Sequence, residues 1–156
     1  MSESTGAGSG LAKKILVGTD GSNTAAIAVN RAASIAAALG AELIIVSAYS
    51  GQAPGKLGSG IGSDATWQAT AEAAAKEHVK AAVETAKGLG ATSTSGEAVP
   101  GDPAEVLLQQ AEKQGVDLLV VGSKGMQKST RFLLGSVPNN VSHHAPCDLL
   151  IVHTSK

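Results

Sequence analysis

The chain has 156 residues, about one domain's worth, and 43% of them are hydrophobic, enough to bury a sizeable core. Aromatic residues are only 2% of the chain (Tyr49, Trp67 and Phe132), so that core has to be built from Ala, Val, Leu and Ile. A net charge of −1, with charged residues spread along the chain, offers no basic face and argues against a general nucleic-acid binder.

Residues 1–12, MSESTGAGSGLA, are rich in Gly and Ser and read as a flexible tail ahead of a single domain over 13–154. They lack the basic start and apolar stretch of a signal peptide. No apolar run is long enough to cross a bilayer. The single Cys147 rules out an intramolecular disulfide framework and fits a reducing compartment. The expectation is a soluble, cytoplasmic protein with no membrane partner.

KILVGT (14–19) is apolar and runs into Asp20-Gly21-Ser22, which predicts a buried strand and then a helix start, with Ser22 as N-cap. An Ala-rich helix follows over 23–39, stopped by Gly40. AELIIVSAY (41–49) is the second buried strand. SGQAPGKLGSGIGS (50–63) interrupts regular structure repeatedly and reads as a long loop. Asp64 is the expected cap of an Ala-rich covering helix over 65–87, which ends near Gly88 or Gly90. TSTSGEAV (92–99) alternates weakly and reads as a third strand.

Asp102-Pro103-Ala104-Glu105 is a strong helix start: Asp102 can cap, Pro103 suits the first turn, and Glu105 completes a capping box. That helix runs to about Gln114, with Gly115 as its stop. DLLVVGS (117–123) is another buried strand, SVPNNVSHH (136–144) a short helix, and CDLLIVHT (147–154) the last strand. Strands alternate with helices, and the best strands are apolar on both faces. This is the pattern of a doubly wound α/β domain with a five-stranded parallel sheet, whose ligands sit beyond the carboxyl ends of the strands where strand order reverses.

Glycines gather at those ends. Gly18-Thr19-Asp20-Gly21-Ser22 follows the first strand. Gly122-Ser123-Lys124-Gly125 follows the fourth, and Gly135-Ser136 comes after nine more residues at a helix start. Glycine lets backbone N–H groups approach an anion, and a helix N-terminus adds free donors and a favourable dipole. Residues 122–129, GSKGMQKS, come close to G-x-x-x-x-G-K-[ST], but Gln127 stands where the second glycine belongs and the helix start lies later, at Ser136. No G-x-G-x-x-G follows the first strand, and no G-x-S-x-G is present.

The spacing Gly122-x2-Gly125-x9-Gly135-Ser136 resembles the nucleotide-binding signature G-2x-G-9x-G-[S/T] of the ATP-binding branch of the universal stress proteins. ILVGTDGS, VVGSKG, LLGSV and CDLLIVHT are similar to the same family, and the likeness covers residues 13–154. The resemblance implies a Rossmann-like fold of the adenine nucleotide alpha hydrolase type, adenine-nucleotide binding (usually ATP) and a homodimer formed through the last strand. Carried over residue by residue, it implies that Asp20 contacts adenine or ribose. The backbone near Gly18, Thr19 and Ala48 would line the adenine pocket. Gly122, Gly125, Gly135, Ser136 and Val137 would hold ribose and phosphates, with Ser123 and Lys124 flanking them.

Bland readings stand beside these. Asp20 could simply cap a helix, and each glycine alone could be turn chemistry. Lys124, Lys128 and Arg131 are either a solvated surface or phosphate-neutralising groups, with or without Mg²⁺. His143, His144 and Cys147 read as surface and core rather than a metal site, and Cys147 as a small packed hydrophobe. The expected function is a nucleotide-dependent regulator in stress response, with ATP as ligand. The alternatives are a protein for AMP or cyclic AMP, since a backbone cradle holds one phosphate as well as three, and a slow ATPase or self-phosphorylating enzyme. Ser123, Ser129, Thr130 and Ser136 offer hydroxyls for the latter, but no general base or activated nucleophile stands out.

Overall fold

The computed structural model describes residues 11–50, 64–123 and 136–154, and for residues 64–67 the backbone alone. Along the chain the elements are β1 (Lys14–Gly18), α1 (Asn23–Leu39), β2 (Glu42–Tyr49), α2 (Asp64–Gly88), β3 (Thr94–Pro100), α3 (Pro103–Lys113), β4 (Leu118–Gly122), α4 (Ser136–His144) and β5 (Asp148–Val152). The expected loop lies, beyond Ser50, outside the described residues.

One five-stranded sheet has the order β3-β2-β1-β4-β5, and every pairing is parallel. The chain starts at the centre, builds outward through β2 and β3, then returns to place β4 on the other side of β1. Strand order therefore reverses between β1 and β4. Side chains alternate faces along a strand, so a strand covered on both sides must be apolar at every position. Ile15, Leu16 and Val17 of β1 are fully buried, as are Leu43 and Ile45 of β2 and Leu119 and Val120 of β4.

Two cores result. Ile15, Val17, Leu43, Ile45, Val120 and Val152 face α1 and α2, meeting Ala28, Ala32, Ala33 and Ala36 of α1 and Ala86 of α2. Leu16, Ile44, Val46, Leu119 and Val121 face the other way, onto Ala104, Val106, Leu107 and Ala111 of α3 and Val141 of α4. The low aromatic content is workable because alanine faces let helices lie close to the sheet. Gly96 does the same on β3: a Cβ there would overlap Val79 Cγ1 and lie 3.0 Å from Val83 Cγ2 of α2.

The helix limits follow their caps. Ser22 (φ −79°, ψ 166°) accepts from Ala25 N at 3.1 Å and starts α1, which Gly40 ends. Asp102 accepts from Glu105 N at 3.2 Å with Pro103 as the first helical residue. After α3, Val116 N donates back to Ala111 O at 3.0 Å, closing the helix around Gly115. Asp64, expected as a cap, is itself the first residue of α2. The third strand occupies Thr94–Pro100 rather than 92–99. It ends on a proline, which an edge strand tolerates because its outer N–H groups have no ladder partner.

Candidate functional site

In a parallel sheet every helix that follows a strand begins at the carboxyl edge. The N-termini of α1, α3 and α4 therefore gather there, each bringing the positive end of its dipole. The register fixes where β1 and β4 separate. Val17 pairs with Val120, the last β1–β4 pair; beyond it β1 follows β2 and Gly122 pairs with Val152 of β5, so the two strands part at the reversal point. On the other flank Gly18 pairs with Val46, and β2 continues past it to Tyr49, paired with β3 through Pro100. Ser47 is buried and Ala48 half-buried, so β2 forms a wall rising beside the exit of β1.

The β1 exit is a defined turn. Thr19 N donates to Val46 O at 2.9 Å, which ties the chain to β2 for one residue beyond the strand. Gly21 N then donates to Thr19 Oγ1 at 3.1 Å, and Ser22 N donates to Asp20 Oδ1 at 2.9 Å. The second of these is an Asx turn. It leaves Asp20 exposed at the mouth, directly before the α1 N-terminus. Gly18 has a packing reason of its own: a Cβ there would come 3.1 Å from Leu107 Cδ2.

The β4 exit is held from the opposite side. Gly122 is half-buried, and Ser123 N donates to Val152 O at 2.7 Å. Ser123 Oγ accepts from Thr154 N at 3.1 Å and lies 3.3 Å from Thr154 Oγ1. Both residues are buried. Ser123 thus reaches the mouth, but its N–H and hydroxyl are used to clamp β4 to β5. Ser136 opens α4 and is exposed, while Val137 is half-buried against the α3–α4 core. Lys124, Gly125 and Gly135, with Lys128, Ser129, Thr130 and Arg131, lie outside the described residues. Of the expected site, then, Gly18, Thr19, Asp20, Ala48, Gly122, Ser123, Ser136 and Val137 belong to elements that end or begin at this one edge.

Two contacts here had no signal in the sequence reading. Thr154 read only as the end of a strand. His78 sits mid-helix in α2, yet its ring packs against Gly21. Elsewhere, Cys147 is half-buried against the second core. Burial first, then the carboxylates of Asp148 and Asp117, push its thiol above the ordinary range. That favours the neutral, packed form. The rings of His143 and His144 lie 6.3 Å apart at α4's end, and among the described residues no three His, Cys, Asp or Glu groups cluster as metal ligands.

Comparison with known proteins decides the family. The model of the universal stress protein family matches residues 12–153. The chain belongs to the universal stress protein family. The universal stress protein Rv1636 of Mycobacterium tuberculosis is 42% identical over 143 residues, covering 92% of this chain and 97% of the relative. Its crystal structure superposes with a TM-score of 0.58 at 40% identity, over 92% of this chain and 97% of that one. A universal stress protein crystallised in complex with cAMP matches with a TM-score of 0.73 at 39% identity, over 93% of this chain and 99% of that one. The Rossmann-like α/β fold expected from the sequence is the fold of these universal stress proteins.

Proposed function

We propose that this universal stress protein binds an adenine nucleotide at the carboxyl edge between β1 and β4 and acts as a nucleotide-dependent regulator. The observation that carries the reading is the reversal of strand order between β1 and β4, with the last β1–β4 pair at Val17 and Val120 and with α1 and α4 starting at the same carboxyl edge. Asp20 would receive the adenine or ribose, and the backbone of Gly18, Thr19 and Ala48 would line the base. Gly122, Gly125, Gly135, Ser136 and Val137 would hold ribose and phosphates, with Ser123 and Lys124 beside them. Ser123 would contribute through position, since its own polar groups are engaged in the sheet. Any Mg²⁺ would be held in part by the nucleotide's phosphates.

ATP is the ligand that the G-2x-G-9x-G-[S/T] spacing supports. Cyclic AMP is the second reading, favoured by the relative crystallised with cAMP at 39% identity. Binding without turnover is the proposed reading, and a slow ATPase or self-phosphorylating enzyme is the alternative that the test below separates from it. A second copy would pair along β5, an edge strand whose Leu149, Leu150 and Ile151 are only half-buried. Light scattering checks that dimer.

The test of function is extraction of co-purified nucleotide, followed by incubation with ATP for hours with and without Mg²⁺ and calorimetry with ATP, AMP and cyclic AMP. Stoichiometric nucleotide that survives unchanged supports a binding protein. Repeated turnover would replace it with the enzyme reading, and no binding at millimolar nucleotide would refute both.

A further inference from the structure

The turn that carries Asp20 is backed by a side chain from a distant element. A Cβ placed on Gly21 would sit 2.5 Å from Cδ2, 2.6 Å from Nε2 and 2.8 Å from Cγ of His78. Near-equal distances to three consecutive ring atoms put that point over the face of the imidazole, not its edge. The ring therefore faces Gly21, and a Cβ there would force the His78 side chain to move. Gly21 also has φ +82°, a conformation that L-residues with a Cβ disfavour. Residue 21 is glycine for two separate reasons.

The ring is well placed to steady the turn. The bonds inside the turn, Gly21 N to Thr19 Oγ1 and Ser22 N to Asp20 Oδ1, are both exposed, where water competes for them. His78 is half-buried. Its neighbour Val79 is buried and packs over Gly96 of β3, so α2 is anchored to the sheet at this height. The contact thus joins an exposed local turn to a fixed part of the fold.

We infer that His78 is a positioning residue for the nucleotide: by backing Gly21 it holds the Asp20 carboxylate where the nucleoside arrives. The inference rests on the binding reading above. The role is steric, so another flat ring fills it, and it acts through Asp20 alone. It makes α2 a direct mechanical neighbour of the binding edge.

The experiment is calorimetry with ATP and cyclic AMP on the wild type, His78→Ala, His78→Phe, Asp20→Asn and the pair His78→Ala with Asp20→Asn, each checked by urea unfolding. Alanine is the better helix former, so His78→Ala should fold. His78→Gln, which keeps polarity but not the flat ring, is a second variant read the same way. His78→Ala and His78→Gln are expected to weaken binding about tenfold, the scale on which mispositioning a site group acts. His78→Phe should stay within about threefold of the wild type, and the alanine effect should vanish in the Asp20→Asn background. Wild-type affinity in His78→Ala, failure of phenylalanine to rescue, or an alanine effect that persists without Asp20 would each overturn the inference while leaving nucleotide binding intact. A wild type that binds no adenine nucleotide would overturn both.

Discussion

Replacing Ser123 by alanine separates a clamp from a ligand contact. Ser123 Oγ accepts from Thr154 N at 3.1 Å, and the two residues are 9% and 2% exposed, too enclosed for water to substitute freely. Ser123→Ala leaves that N–H without its acceptor. A buried donor stranded in this way costs about 1–3 kcal/mol. For a chain of this size that lowers Tm by roughly 2–10 °C. The Ser123 N–H bond to Val152 O is a backbone contact and should survive. Urea unfolding should show a lower midpoint with an unchanged m-value, because the same surface is exposed on unfolding. Nucleotide affinity, measured below the transition, should stay within about threefold of the wild type, because no ligand contact worth even 1 kcal/mol is removed. Unchanged stability together with a loss of binding beyond about tenfold would refute the reasoning and return the hydroxyl to the ligand.

Other changes test other parts of the account. Gly96→Val forces a side chain into Val79 and Val83 and should destabilise the protein by about 1–3 kcal/mol despite valine's better strand propensity, read by urea unfolding. Gly135→Val should weaken nucleotide binding strongly in calorimetry while the far-ultraviolet circular dichroism stays native. Cys147 should alkylate more slowly than a free cysteine at pH 8, with a rate that climbs only as pH rises past the usual thiol range. Because its folded pKa is raised, the linked stability is present below the ordinary thiol pKa and lost as pH rises through the folded value. Cys147→Ala should flatten that alkaline decline in urea-unfolding free energy.

The most legible parts of the fold were those governed by local chemistry. Ile15-Leu16-Val17 is apolar at every position because both faces of β1 are covered, so its sequence betrays a central parallel strand. Ser22, Gly40, Asp102 and Gly115 mark helix limits through bonds spanning only a few residues. The limits of β3 shifted because this edge strand keeps Ser95, Gly96 and Glu97 exposed and lacks the continuous apolar run of β1. At the site, the Gly-Ser punctuation marked the ends of β1 and β4, while the register that makes Val17–Val120 their last pair had no sign in the sequence. Contacts between distant residues were invisible. Nothing near Ser123 says that Thr154 takes its hydroxyl, and a lone His78 in an Ala-rich helix carries no sign of a partner at Gly21.

The proposed adenine nucleotide site lies at the carboxyl edge between β1 and β4. Hydrogen exchange with and without saturating ATP or cyclic AMP tests it most directly. Exchange should slow over 18–22, 46–49 and 121–137, with no change at the amino edge, where Lys13 and Lys14 N–H groups donate to Asp117 Oδ2 at 2.9 and 3.0 Å. Stoichiometric binding with protection confined to the amino edge, or to α2 and β3, would rule it out.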